Sequence, residues 1–265
     1  MSMYTLNQIP SEIQIRKYLR RILFGKNVFC PKCRSRNIFK SENRYFCSKC
    51  RSHFSLLSQT WLSGMKLSLE KFWLILWCWT TQIPVKQAGT LAKLSEEAVR
   101  HWYDLFRSHL PLNTAVLERV VQLDEAYGRG WSLIMAKQQG TRKLAHQVIK
   151  SSSVQRQHTA YFLQTHIKPR SKLHTDGSSI YRGINKWWPV KHRWDIHRKW
   201  EFELTSEIEG TFGNLRTFIR RMYHHVTAEK MPEIVGEFCF RFSSPEIFNN
   251  PLFYLEKSLK LVPFD

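Results

Sequence analysis

Four cysteines in two short pairs, and three acids spread over the second half of the chain, have the types and spacing to do chemistry. Cys30-Pro31-Lys32-Cys33 and Cys47-Ser48-Lys49-Cys50 are two Cys-x-x-Cys pairs separated by residues 34–46. The short spacing within a pair puts both sulfurs on one tight knuckle, and two knuckles supply four thiolates to one tetrahedral Zn²⁺. Lys32, Arg34, Lys49 and Arg51 flank the sulfurs, where their charge favours thiolate and suits contact with phosphate. The spacing disfavours four merely buried or redox cysteines. It leaves open whether such a ribbon binds DNA, staples the fold or docks a protein. Cys78 and Cys239 stand alone in apolar surroundings and read as core residues.

The acids form a second constellation. Val120-Val121-Gln122-Leu123-Asp124-Glu125 reads as a strand with Asp124 near its end, and Lys172–Asp176 as a shorter strand ending in an acid followed by Gly177. Ser206-Glu207-Ile208-Glu209 then opens a helix whose apolar stripe is Ile208, Phe212, Leu215, Ile219 and Met222. Glu209, Gly213, Arg216 and Arg220 share the neighbouring face, so one helix presents a carboxylate and, two turns on, a guanidinium toward one cleft. Carboxylates from two strands and a helix suit a pair of hard cations, Mg²⁺ or Mn²⁺. Two such ions about 3.5–4 Å apart stabilise the attacking and leaving oxygens of an in-line displacement at phosphorus. Arg216 would then hold a DNA phosphate. Taken singly, an Asp before Gly also serves as a turn residue, and Ser206-x-x-Glu209 also serves as a capping box.

The elements that must position these groups follow from periodicity. Ser11 caps a helix carrying Ile15, Tyr18, Leu19 and Ile22 on one face, with Gly25 as its stop. Residues 67–110 are helical in pattern, and Pro84 and Ser95 divide them into helices near 67–82, 84–93 and 96–109. The last two read as helix-turn-helix: Val99, Trp102, Tyr103 and Phe106 face inward, while Arg100, His101 and Arg107 are expected on the side that enters a major groove. A plain helical packing module fits the same pattern. Strands are expected near 119–125, 131–137, 143–150 and 171–175, and helices near 153–166 and 207–223.

Charge names the partner class. Lys and Arg number 41 against 21 Asp and Glu, a formal net charge of +20, which points to a polyanion. The longest apolar stretch, around Phe72–Trp79, is too short to span a bilayer and reads as a buried helix. No secretory signal opens the chain, and no Gly-x-x-x-x-Gly-Lys phosphate loop is present, so neither a membrane nor ATP is expected as a partner.

These stretches resemble the insertion-sequence transposases of the IS fifteen-ninety-five group and the related eukaryotic Merlin transposons. The resemblance runs from the first helix to about Arg241. It rests on CPKC with CSKC, VVQLDEAYGRG, HTDGSSIY, the histidines of KHRWDIH, SEIEGTFGNLR and MYHHVTAEKMPEIVGEFCFRF. It implies an α/β architecture in which a zinc ribbon and a helix-turn-helix-like segment precede an RNase H-like catalytic domain. The expected divisions are 1–57 for the leading helix and ribbon, 58–112 for the DNA-binding helices, 113–241 for the catalytic domain and 242–265 for a tail. By the resemblance Asp124, Asp176 and Glu209 are the metal ligands, and Arg216 stands where the family usually has Lys. Ser206 and Phe212 stand where an asparagine and a tryptophan are expected. His192 and His197 match family histidines, and His197 and Arg220 join Arg100, His101 and Arg107 as expected DNA contacts.

The reading is a DNA transposase that binds terminal inverted repeats, cuts by metal-activated water and joins the 3′-hydroxyl to target DNA. It would work as a homo-oligomer, on the nucleoid in a prokaryote or in the nucleus of a eukaryote. A zinc-ribbon regulator with an inactive RNase H-like scaffold, and a nuclease without strand transfer, are the rival readings.

Overall fold

The computed structural model describes residues 9–111, 115–194 and 204–262. The chain divides into two compact units, Met1–Pro111 with Glu246–Asp265, and Leu112–Pro245.

The first unit begins with α1 (Glu12–Phe24), capped by a reciprocal pair of bonds between Ser11 and Gln14, and buries Ile15, Leu19, Leu23 and Phe24. A three-stranded antiparallel sheet follows: β1 (Ile38–Ser41), β2 (Arg44–Cys47) and β3 (His53–Ser55). Next comes α2 (Leu69–Thr80), whose sequence LEKFWLILWCWT is apolar nearly all round because it is buried nearly all round. α3 (Val85–Ala92) and α4 (Glu96–Ser108) pack on each other and on α2. Ser95 caps α4 by accepting from Ala98 N, and Lys93 takes the left-handed conformation, φ 53°, that turns the chain between α3 and α4. A Cβ at Gly89 would lie 3.0 Å from Leu94 O, so the turn can fold back onto α3 only where that side chain is absent. The segment expected as a tail forms α8 (Pro251–Ser258), which packs against α2. Tyr254 OH donates to Phe106 O at 2.8 Å, and its ring lies 5.1 Å from that of Trp79.

The second unit is a five-stranded mixed sheet in the order β6-β5-β4-β7-β8. β4 (Val120–Gly128), β5 (Trp131–Gln138) and β6 (Leu144–Ile149) form an antiparallel meander, while β7 (Lys172–Thr175) and β8 (Lys191–Trp194) run parallel to β4. α5 (Arg156–His166) supplies the crossover from β6 to β7. This is the RNase H-like sheet that the family resemblance implies. The strand period assigns its faces. Val121 and Leu123 of β4, and Ile134 and Ala136 of β5, join Phe162 and Leu163 of α5 in one core. The alternate residues face α6 (Ser206–Met222): Gln122 Oε1 accepts from Ile208 N at 2.9 Å, and Lys137 pairs with Glu207. α7 (Met231–Ser243) packs on β6 and on α6.

Glu207 fixes the start of α6. Besides Lys137, it accepts from Gly140 N at 3.1 and 3.2 Å, tying the helix to the β5–β6 turn. Lys137 keeps only 8% of its side chain exposed, so removing its partner leaves a nearly buried cation. Glu207→Ala is therefore expected to lower stability by about 1–3 kcal/mol in urea denaturation. A neutral result would mean that α6 is anchored elsewhere.

Candidate active site and metal centre

The cysteine knuckles are near-copies of each other. Arg34 N donates to Cys30 O at 2.9 Å and Cys30 N to Ser35 O at 2.8 Å; Arg51 N donates to Cys47 O at 2.8 Å and Cys47 N to Ser52 O at 3.0 Å. Arg34 and Arg51 take matching positive φ angles of 59° and 58°. The four sulfurs lie within 4.8 Å of one another, with Cys30–Cys50 and Cys33–Cys47 separations of 3.5 Å. A tetrahedral ion with Zn–S of about 2.3 Å needs sulfur–sulfur edges of about 3.8 Å, so the donor set fits Zn²⁺.

The acids meet where the sheet opens. β7 pairs with β4 only as far as His174 opposite Gln122, while β4 continues to Gly128. Asp176 follows the last residue of β7, and Asp124 lies on β4 just past the paired stretch. One carboxylate oxygen each from Asp124, Glu125 and Asp176 falls within a 4.8 Å cluster. Successive strand residues point to opposite faces, yet both Asp124 and Glu125 reach Asp176, because beyond β7 no strand separates the two faces. Asp124 lies on the α6 face and feels the charge of Glu209, which accepts from Thr205 Oγ1 at 3.0 Å. Glu209 is thus brought near Asp124, though its carboxylate lies outside the close cluster found among the described residues. Glu125 takes the other face, where Tyr181 OH donates at 2.5 Å and Tyr127 OH at 3.3 Å.

Crowding and burial set the electrostatics. Burial pushes the Asp124 carboxyl up to about 6, and the charges of Asp176 and Glu209 add to the rise. Burial likewise lifts Glu125 to about 8, with Asp176 and Asp124 adding, although the Tyr181 hydroxyl acts in the opposite sense. A bound divalent cation would displace those protons, and converging carboxylate oxygens suit a hard one. Glu125 was not among the acids singled out from sequence. Its neighbour Asp124 hid it, since strand alternation places adjacent residues on opposite sides.

Beside the acids lies a cleft of about 440 Å³ lined by Asp176, Tyr181, Arg182, Asn185, His192 and Trp194, among others. His192 is half-buried, and its Nε2 lies 2.9 Å from Thr175 Oγ1. Arg216 and Arg220 are exposed on α6. On α4, His101 is exposed and Arg100 is exposed but paired with Glu96 at 3.2 Å. Arg107 turns inward instead: its side chain is 3% exposed and pairs with Asp104 at 2.6 Å, so it holds the helix rather than facing a groove. The helical spacing that set Arg107 off the apolar stripe did not register how far burial wraps around α4. His197 lies outside the described residues.

A sheet of this order, with acids on β4 and just after β7, belongs to the RNase H-like class. The ISXO2-like transposase domain matches residues 117–243 and the transposase zinc-ribbon domain matches residues 10–53. The chain belongs to this transposase family, with both domains in the family's order. No curated protein matches the chain. Among solved structures, the catalytic core domain of BIV integrase is similar over 47% of this chain and 82% of its own, at 12% identity and a TM-score of 0.33. A simian T-cell lymphotropic virus intasome, solved in complex with PP2A regulatory subunit B56 gamma, is similar over 63% of this chain and 67% of its own, at 10% identity and a TM-score of 0.37. No helix of the described residues is long and apolar enough to cross a membrane.

Two outcomes follow. Metal analysis of the purified chain should find one zinc, lost together with the protease resistance of the ribbon in Cys30→Ser or Cys47→Ser. Retention of zinc by either variant would contradict the four-thiolate site. In the second unit, folded Asp124 and Glu125 keep protons that the unfolded chain has lost, between 3.8 and about 6 and between 4.5 and about 8 respectively. The folded state binds more protons there, so these groups erode metal-free stability as pH rises. Asp124→Asn with Glu125→Gln should raise the metal-free melting midpoint at about pH 8 and leave it nearly unchanged at about pH 4. An equal gain at both would assign the effect to packing.

Proposed function

We propose that this chain is a DNA transposase that holds the terminal inverted repeats of its element and performs metal-dependent phosphodiester hydrolysis followed by strand transfer. The observation that carries the reading is the meeting of Asp124 and Asp176, far apart in sequence, at the open end of β4 and β7, with Glu209 close enough to act on Asp124. Membership of the transposase family supports it, as does a net charge of +20.

Bound divalent ions would supply Lewis acidity at the phosphoryl oxygens and lower the pKa of attacking water. Asp124 and Asp176 would hold them from the sheet, and Glu209 would complete the set from α6. Arg216, two turns along α6 from Glu209, carries an exposed guanidinium toward the phosphate that follows the reacting one. The same site then serves the second step, in which the freed 3′-hydroxyl takes the place of water. No residue of the chain needs to form a covalent bond to DNA. The ribbon and the face of α4 bearing Arg100 and His101 are the repeat-binding surfaces, with Arg220 adding backbone contact. Two element ends must be joined in one event, so the working form is a homo-oligomer on DNA.

Substituting Asp124, Asp176 or Glu209 by Ala should reduce cleavage and joining of element-end DNA to background while leaving DNA binding in place. Arg216→Ala should cost about 10- to 100-fold in rate, the size of a positioning loss. A Glu209→Ala protein that cuts at the normal rate would remove Glu209 from the site. Glu207 is engaged with Lys137 and Gly140, which makes it a poor substitute. Hydrolysis by the unaltered chain without any joined product would make it a nuclease.

A further inference from the structure

The cleft beside the acids has features that metal binding does not use. It opens between the C-terminal ends of β7 and β8 and the short helical turns at Ser179–Tyr181 and Ile184–Lys186. Ligands of sheets with parallel strands collect at such strand ends. Its volume of about 440 Å³ falls within the roughly 300–1,000 Å³ of pockets that take small organic groups. Three of its walls differ in chemistry. Trp194, which lines the cleft, leaves 57% of its surface exposed, and its ring stands 5.4 Å from that of His192, so much of an indole is open to a ligand there. Arg182 and Asn185 are exposed on the turns that flank Gly183, whose φ of 72° makes the bend between them. Asp176 lines the cleft and belongs to the acidic cluster, so whatever enters lies next to the reacting phosphate.

An aromatic face, a guanidinium and an amide with both donor and acceptor are what a nucleotide engages: its base stacks, its phosphate pairs with Arg, and its edge bonds to Asn. We propose that this cleft seats a single unpaired nucleotide of the DNA strand adjoining the phosphodiester at Asp124 and Asp176, with its base against Trp194. The proposal rests on the active-site reading above. A base can enter only when it leaves its stack, so DNA with an unpaired nucleotide beside the junction binds better than a fully paired duplex.

The test uses the full chain without divalent metal and a forked duplex of mixed sequence, with a fluorescent adenine analogue at its first unpaired position. A fully paired duplex of the same sequence is the reference. The unaltered chain should prefer the fork by roughly tenfold, the worth of one base stacked on an aromatic ring, and should quench the analogue. Trp194→Ala should bring fork affinity down to that of the paired duplex and restore fluorescence, whereas Trp194→Phe should keep most of the preference. Equal affinity of the unaltered chain for fork and duplex would overturn the proposal, and so would a preference that survives Trp194→Ala. Because no catalysis is read, failure here is distinct from failure of the active-site reading, which is decided by cleavage in the Asp124→Ala protein.

Discussion

Three carboxylates gathered within 4.8 Å repel one another, and burial deepens the cost. A fold keeps such a cluster only if rigid elements hold it and bound cations or protons relieve it. The sheet supplies the rigidity. β4 is paired along its length with β5 and over Val120–Gln122 with β7, so Asp124 leaves a strand that cannot shift its register without moving the core. The parallel pairing of β7 brings Asp176 to the same end. The place where β7 stops while β4 goes on therefore does more than end a ladder: it lets acids from two faces of one strand approach a third.

The surroundings are arranged around that cost. On one face Tyr181, wholly buried in the α5 core, extends its hydroxyl to Glu125, so a hydrophobic anchor positions a polar group at the edge of the acidic site. On the other face α6 is held at its first turn by Glu207 through Lys137 and Gly140 and by Gln122 at Ile208 N. Those bonds set the rotation and height of the helix, and with them the approach of Glu209. Two acids two residues apart in one helix turn thus differ: Glu207 tethers the helix, while Glu209 accepts from Thr205 and lies near enough for its charge to act on Asp124.

Much of this was legible in sequence. The Cys-x-x-Cys spacing sufficed for the four-sulfur cluster because knuckle geometry is local. Strand alternation in VVQLD and the i, i+4, i+7 stripe of α6 placed Asp124 and Glu209 on the right kinds of element. The remainder depended on tertiary contact. β8, with sequence KHRW, carries no alternation and becomes a strand by pairing with β7 at the sheet edge. α7 carries the β-favouring Ile234, Val235, Phe238 and Phe240 and is a helix because one of its faces packs on β6. Glu125 was passed over, and Arg107 expected in a groove, for related reasons. The first needed knowledge of where β7 ends, and the second of how far burial wraps around α4.

The two units place opposite demands on their charged residues. In the first, the four clustered sulfurs fit one cation, which would replace the missing core of a small ribbon. In the second, acids that are to hold a metal and serve a reaction could not be fully satisfied by the protein: an acid committed to a lysine is lost to a metal. Glu207 shows the committed case, with both oxygens engaged by Gly140 N and one also by Lys137. Asp124 shows the other, since the backbone N–H of Glu125 donates to it at 2.8 Å, a bond that orients a carboxylate without neutralising it. A neutral bond at an acid whose proton affinity is raised leaves the carboxylate available to an incoming cation. That division between spent and unspent carboxylates distinguishes the acids that build this sheet from those that would work at its end.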